Sequence, residues 1–200
     1  MKIFIGLGNP GPEYEDTRHN VGFRVIDELR KRHEPFDGVK TEYCRGWMSR
    51  MAGKEVLLVK PKTFINQSGI AVKKLFDRYG GDLEDYVIIH DDLDIEVGRI
   101  KIISKKGPGG HNGIISIVSI LDSRDFVRVR IGIGREKAGN SYVDYVLAPF
   151  TTEEAPCVEK SVRTAASACE EMVRSSTAKA MSLYNSEKSK PGDRSERPGD

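Results

Sequence analysis

The chain has 200 residues, of which 38% are apolar and 31% charged, and its formal net charge is +2. This is the composition of a globular protein of about one domain, with enough chain to bury a full core. No apolar run approaches the roughly 18 residues of a membrane helix. The apolar start is too short for a secretory signal. Three cysteines without Cys-x-x-Cys spacing disfavour a disulfide framework or a zinc site and favour the cytoplasm (Cys44, Cys157 and Cys169).

Strands and helices alternate along most of the chain. Apolar residues at helical spacing predict the helices, and short apolar or alternating runs predict the strands. The predicted elements are, in chain order, a strand at 2–7, a helix at 20–33, a hairpin at 44–51 and 55–60, a helix at 68–79, strands at 86–90 and 99–104, a helix at 114–121, a strand at 126–134 and a helical region at 151–184 with a break near Ser175-Ser176. We therefore expect a single α/β domain over 1–185, with a mixed, twisted sheet and helices on both faces.

Three segments allow more detailed predictions. The strand at 86–90 is almost wholly apolar, which is typical of a central parallel strand, and the strand at 126–134 alternates apolar residues with Arg128 and Arg130. Residues 186–200 contain no large apolar residue and carry four basic and four acidic side chains, which predicts a disordered tail. For the helix at 68–79 we expect a buried face made of Ile70, Leu75, Phe76 and Tyr79.

Basic residues are concentrated between 99 and 137. Nine basic residues stand there against three acidic ones (Arg99, Lys101, Lys105, Lys106, Arg124, Arg128, Arg130, Arg135 and Lys137, against Asp122, Asp125 and Glu136). Such a stretch can face phosphates, although a solvated basic surface explains the charge equally well.

Two motifs imitate known sites without their context. Gly6-x-Gly8-x-x-Gly11 matches the dinucleotide-binding pattern, but Pro10 and Pro12 interrupt the segment that should begin the helix over a pyrophosphate. Gln67-Ser68-Gly69 resembles part of a nucleophile elbow without its upstream glycine, and we interpret Ser68 as a helix N-cap.

The run His90-Asp91-Asp92-Leu93-Asp94 could hold a metal ion, which makes a metal-dependent hydrolase a rival hypothesis. Neighbouring residues on an extended chain point to opposite faces, so at most two of the four potential metal ligands in this run, the histidine and the three aspartates, can converge. The sequence contains no His-Glu-x-x-His motif to support a metal.

Polar residues follow several predicted strands at the point where each one ends. In an open α/β sheet, loops at the carboxyl ends of parallel strands meet in one crevice. We expect His19 to act there as a general base towards water, with Asp91 holding its other nitrogen. Side-chain amides would hold the substrate or donate to an oxyanion (Asn9, Asn66 and Asn112).

These residues belong to a set of motifs that resembles the bacterial-type peptidyl-tRNA hydrolase family. The resemblance covers Met1 to about Tyr184. The motifs are Asn9-Pro10-Gly11-x-x-Tyr14, Thr17-Arg18-His19-Asn20-x-Gly22, Pro61-x-Thr63-Phe64-x-Asn66-x-Ser68-Gly69, His90-Asp91-Asp92-Leu93-Asp94 and Gly109-Gly110-His111-Asn112-Gly113.

The resemblance implies hydrolysis of the ester that joins a peptide to the terminal ribose of tRNA. It assigns His19 as the base, Asp91 as its stabiliser, and Asn9 to discrimination of blocked from free α-amino groups. It implies no metal, no cofactor, no obligate protein partner and a monomer. Tyr14, Phe64, Asn66 and Asn112 would contact the end of the substrate, and Lys101, Lys105, Lys106 and Arg130 are the leading candidates for phosphate contacts.

One position departs from the family pattern, because Ile65 stands where the family commonly has Met. Both are apolar, so a pocket-wall role is retained with less adaptability. A second rival is a non-catalytic RNA-binding relative of the kind found in plant organelles. The chain enters its first strand without a Ser/Arg-rich leader, which favours the enzyme.

Overall fold

The structure is a computed structural model that describes residues 1–135 and 141–186. The predicted tail at 186–200 therefore lies outside the described residues, apart from Ser186. The elements are β1 (Lys2–Gly6), α1 (Val21–Arg32), β2 (Asp37–Lys40), β3 (Cys44–Met51), β4 (Lys54–Pro61), α2 (Ser68–Tyr79), β5 (Tyr86–Asp92), β6 (Ile100–Ser104), α3 (Asn112–Leu121), β7 (Val127–Gly132), α4 (Tyr142–Leu147), α5 (Ala155–Arg174) and α6 (Thr177–Asn185).

The strands form one seven-stranded sheet in the order β2-β3-β4-β1-β5-β7-β6. The four central strands, β4, β1, β5 and β7, are parallel to one another. β2 and β3 extend the sheet antiparallel on one side, and β6 is an antiparallel edge strand on the other. The predicted mixed sheet is confirmed, and so is the central parallel position of the strand at 86–90.

Helices cover both faces of this sheet, as predicted. On one face, Phe4, Val87 and Ile89 pack in a core with α1, α5 and α6. On the other face, Ile5 and Ile88 pack in a second core with α2 and α3. Alternate residues of a strand point to opposite faces, so β1 and β5, covered on both, need a nearly continuous apolar sequence.

The hairpin at Ala52-Gly53 and the helix break at Ser175-Ser176 are confirmed. Two elements, β2 and α4, were not predicted. None of the described helices is both long and apolar enough to span a bilayer.

The buried face of α2 was predicted only in part, since Leu75 is buried and Phe76 and Tyr79 pack against the core, but Ala71 and Val72 were missed. Ala71 and Val72 are buried together with Leu75, whereas the three other predicted residues (Ile70, Phe76 and Tyr79) are only half-buried. The reason is a close approach to α3, since a side chain on Gly69 would clash with the backbone of Ser116.

Ser68 is also not the N-cap of α2. It is the first residue of the helix, and its hydroxyl donates to the carbonyl oxygen of Ile65 at 2.7 Å. The side chain therefore satisfies the preceding 3-10 turn (Ile65–Gln67), and Gln67 occupies the cap position.

The carboxyl ends of β1, β5 and β7 lie at the same end of the sheet, and α1 begins directly on top of β1 and β5. Gly22 makes this contact possible, because a side chain there would lie 2.6 Å from the carbonyl oxygen of Leu7 and would also clash with that of Ile89. Residues just before α1 are therefore held against the ends of both strands.

Candidate active site

Two histidines from different loops converge on one buried carboxylate at this end of the sheet. His19 lies in the 3-10 turn Arg18–Asn20 before α1, Asp91 lies near the end of β5, and His111 immediately precedes α3. His19 Nδ1 is 2.8 Å from Asp91 Oδ1, and His111 Nε2 is 3.0 Å from the same oxygen. The predicted contact between His19 and Asp91 is present in the structure.

Hydrogen bonding determines which nitrogen of each imidazole carries the proton. His111 Nδ1 accepts from the backbone N–H groups of Gly113 (3.1 Å) and Ile114 (3.3 Å), so it is the N-cap of α3. Its proton therefore lies on Nε2 and is donated to Asp91. His19 likewise donates Nδ1–H to the carboxylate. The Nε2 atom of His19 is therefore unprotonated and has a lone pair available.

Asp91 is 2% exposed, and burial by itself disfavours its charged form. The two imidazoles outweigh this desolvation, and the pKa of Asp91 falls well below its ordinary value. The carboxyl is therefore an ionised hydrogen-bond acceptor across the physiological pH range. A buried charge of this kind stabilises positive charge on a neighbouring imidazole.

The ligand-type atoms of His19, Asp91 and His111 lie within 4.8 Å of one another, so this group must be tested as a metal site. The distances of 2.8 and 3.0 Å are those of N–H···O hydrogen bonds. With bonds of about 2.0–2.1 Å, a tetrahedral metal would hold its ligand atoms more than about 3 Å apart. Because His111 Nδ1 is also committed to the α3 cap, the set fits a hydrogen-bonded triad better than a metal centre.

Asn9 is held by hydrogen bonds to its backbone N–H and carbonyl groups and to its side-chain oxygen. Asn20 Oδ1 accepts from the Asn9 N–H at 2.8 Å, and Asn20 Nδ2 donates to the Asn9 carbonyl at 3.0 Å. Asn9 Oδ1 accepts from the Ile65 N–H at 2.9 Å. These contacts orient the Asn9 NH₂ group, which has no hydrogen-bond partner among the described residues. Asn20 is a site residue that the sequence analysis missed, although it belongs to the motif that contains His19.

The four residues predicted to contact the end of the substrate lie on segments that adjoin Ile65, whose N–H binds Asn9, or at the loop beside Asn9. Tyr14 and Phe64 meet edge to face, with ring centroids 6.1 Å apart, and Phe64 is half exposed. Asn66 is exposed in the turn beside Ile65, and Asn112 is the exposed first residue of α3. Apolar rings and exposed amides therefore occur on the segments next to Asn9 and at the start of α3.

His19 and Asn112 also line a cleft of about 270 Å³. Its wall includes α4, which the sequence analysis did not predict. The signal was present, because Ser141 followed by Asp144 matches a helix-start pattern, and Ser141 Oγ accepts from the Val143 N–H at 3.2 Å. The lining residues are His19, Asp91, Asp92, Leu93, Asp94, Gly109, Gly110, His111, Asn112, Arg135, Tyr142, Val143 and Val146.

Comparison with known proteins decides the family. The family model described as peptidyl-tRNA hydrolase matches residues 3–192. A peptidyl-tRNA hydrolase of Bacillus cereus is 46% identical over 192 residues, covering 93% of this chain and 100% of the relative. One of Geobacillus kaustophilus is 47% identical over 187 residues, covering 92% and 100%. The crystal structure of the enzyme from Acinetobacter baumannii superposes with a TM-score of 0.87 at 30% identity, covering 93% of this chain and 95% of that one.

The chain belongs to the peptidyl-tRNA hydrolase family. Ile65, at the position where the resemblance leads us to expect Met, is 5% exposed. A side chain on Gly113 would lie 3.1 Å from its Cγ1. Ile65 is thus an apolar wall between Asn9 and the start of α3, where its backbone N–H also orients Asn9.

The four basic residues predicted to face tRNA are not gathered together. Lys101 and Arg130 are cross-strand neighbours towards the active-site end, and Arg130 pairs with Asp92. Lys105 follows β6 at the end of the sheet away from the active site, beside the start of β7, where it pairs with Glu84 at 2.9 Å. β6 runs antiparallel and carries Lys105 away from the site. Lys106 is exposed on the loop that returns towards His111.

Proposed function

We propose that this chain hydrolyses the ester between the peptide and the terminal ribose of peptidyl-tRNA, with His19 as the general base. Membership of the peptidyl-tRNA hydrolase family supports the substrate. The observation that carries the mechanism is the hydrogen bond of His19 Nδ1 to the buried Asp91 carboxylate. It leaves His19 Nε2 unprotonated, and His19 helps to line the cleft.

In the first step, a water molecule attacks the ester carbonyl carbon while its proton passes to His19 Nε2. The imidazolium that forms lies 2.8 Å from the Asp91 carboxylate, which stabilises its charge. The tetrahedral intermediate then collapses, and the ribose oxygen leaves with the proton from Nε2. Products are the free peptide acid and tRNA, and His19 returns to its starting state. A positioned base of this kind contributes about 10²- to 10⁴-fold.

The amides supply orientation around this step. Because Asn9 Oδ1 is bound to the Ile65 N–H, only the NH₂ group of Asn9 remains for the substrate. A peptide or N-blocked amino acid offers a carbonyl oxygen there, whereas a free aminoacyl group offers a charged amine. Asn9 therefore favours blocked substrates. Asn66 and Asn112 donate to the substrate or its oxyanion, and Tyr14 and Phe64 give its end an apolar surface.

The exposed basic residues Lys101 and Lys106, with Arg130, contact tRNA phosphates. The catalytic domain comprises residues 1–185 and acts in the cytoplasm as a monomer, without a cofactor, metal or obligate protein partner. Its product, free tRNA, returns to translation.

The test is release of N-acetyl-aminoacyl groups from tRNA in excess EDTA, comparing wild type with His19→Ala. We expect wild type to be active and the variant to lose about 10²-fold or more in kcat with RNA binding retained. His33→Ala is the matched control, since His33 follows α1 away from the cleft and contacts Glu170.

Loss of wild-type activity in EDTA would instead support a metal-dependent hydrolase at the His19, Asp91 and His111 cluster. RNA binding without any hydrolysis by wild type would support the non-catalytic RNA-binding relative.

A further inference from the structure

Arg128 is a buried cation that the mechanism above does not use. It is the second residue of β7 and is 3% exposed. Its guanidinium donates to three consecutive backbone carbonyl oxygens, those of Lys106 (3.2 Å), Gly107 (2.8 Å) and Pro108 (3.5 Å). No described carboxylate forms an ion pair with it. Burying a cation costs free energy unless its hydrogen-bond donors are satisfied, and these three carbonyl oxygens offset that desolvation cost.

The carbonyls belong to the loop at 105–111, which joins β6 to α3. Lys105, Gly109 and Gly110 all have positive φ, so this loop lacks a regular backbone pattern. Among the described residues, Arg128 alone donates hydrogen bonds to the carbonyls of 106–108. The far end of the loop is fixed by His111, through Asp91 and the α3 cap.

The charge state of Arg128 suits a permanent anchor. Burial, followed by the neighbouring Arg130, lowers its pKa to about 10. The guanidinium therefore stays protonated at neutral pH, and its planar fork can reach three acceptors at once in a way that an ammonium group cannot.

We infer that Arg128 is a positioning residue for the hydrolysis: it holds the loop at 106–108 so that His111 meets Asp91 and Asn112 borders the cleft. The inference rests on the proposed function, in which both residues serve the reaction. A direct role in phosphate binding does not fit, because the guanidinium is buried and hydrogen-bonded to backbone, whereas Lys101 and Lys106 are exposed.

The kinetic test compares Arg128→Met and Arg128→Lys with wild type on N-acetyl-aminoacyl-tRNA. We expect Arg128→Met to lose about tenfold or more in kcat, with KM changed less than about threefold, because small displacements of catalytic groups reduce rate more than binding. Arg128→Lys should recover part of kcat, since an ammonium can reach one or two of the carbonyls.

Arg32→Met is the matched control. Arg32 also makes several hydrogen bonds, to Glu28, Ser167 and the Arg163 carbonyl, but it lies between α1 and α5. Its loss should lower Tm without changing kcat per folded molecule. If the Arg128 variants behave like Arg32→Met, Arg128 is only structural and the inference is wrong.

A second measurement remains informative if Arg128→Met does not fold. In ¹⁵N-histidine NMR spectra of Arg128→Lys, the His111 ring resonances should shift while those of His33 stay in place. Unchanged His111 resonances would overturn the inference, and so would a rise in KM with a smaller salt dependence and unchanged kcat. Wild type without hydrolase activity would instead refute the proposed function.

Discussion

In the cleft, the side chains of His19, Asp91 and His111 are almost excluded from water, and both histidines are hydrogen-bonded to the Asp91 carboxylate. Lys101, on the edge strand β6, is exposed and makes no ion pair with a described residue. The two regions use charge differently. The single carboxylate at the centre acts at short range in a poorly polarisable environment, where each interaction is strong. The charges on the basic face, by which we mean Lys101, Lys106 and Arg130, act through water and are screened by salt.

This contrast predicts where mutations will be severe. At the centre, one atom of Asp91 accepts a hydrogen bond from each of two imidazoles, so a single substitution alters both contacts. On the basic face, each cation adds a small and separable contribution to binding, because exposed charges interact weakly.

The largest effect is expected for Asp91→Asn. An amide of the same shape can donate its NH₂ to His19 Nδ1, which moves the histidine proton to Nε2 and removes the base. We expect kcat to fall by about 10²- to 10⁴-fold with a small change in KM. Steady-state kinetics on N-acetyl-aminoacyl-tRNA measure this. Asp85→Asn, just before β5 at the far end of the sheet, is the control. A kcat within about threefold of wild type would mean that Asp91 does not set the His19 tautomer.

The sequence was sufficient to predict the meeting of His19 with Asp91, because both follow strands of a recognisable parallel pattern. It was not sufficient for Arg128. Alternation places this residue on one face of β7, but whether a helix, a loop or water covers that face depends on the path of the 105–111 loop. The position of Lys105 away from the active site could not be predicted for a similar reason, because the sequence predicted a strand at 99–104 but not the direction in which it runs. The capping role of His111 was missed because α3 begins at Asn112, two residues before the predicted helix start at 114.

A smaller effect, on stability rather than rate, is expected from His90. It is 1% exposed; its Nδ1–H donates to the Asp91 carbonyl oxygen at 2.6 Å, and its buried Nε2 has no described partner. Burial, and then the neighbouring His111 and Arg128, hold the pKa of His90 well below its ordinary value, despite the opposing effect of Asp91. The unfolded chain therefore binds a proton below about pH 6.5 that the folded chain does not.

The free energy of unfolding should therefore decrease as pH falls below about 6.5, by up to about 1.4 kcal/mol per pH unit from this residue. His90→Asn retains an N–H near the Asp91 carbonyl but cannot titrate, so the slope between about pH 6.5 and 4.5 should become shallower. Urea unfolding at several pH values measures it. The neutral-pH stability should also fall because of the smaller side chain, so the slope is the decisive quantity. An unchanged slope would show that His90 is not the group responsible.

The smallest effect is expected on the basic face, where Lys101→Ala combined with Lys106→Ala is compared with Lys105→Ala. The double variant should raise KM severalfold with little change in kcat, and should reduce the slope of log affinity against log salt by about 0.7 or more for each phosphate that is no longer neutralised. Lys105→Ala should change neither, because Lys105 pairs with Glu84 at the opposite end of the sheet. KM values measured at low and high salt provide the comparison. If Lys105→Ala weakens binding as much as the double variant, tRNA extends along β6 to the end of the sheet that is away from the active site. The basic face would then extend beyond Lys101, Lys106 and Arg130 to include Lys105.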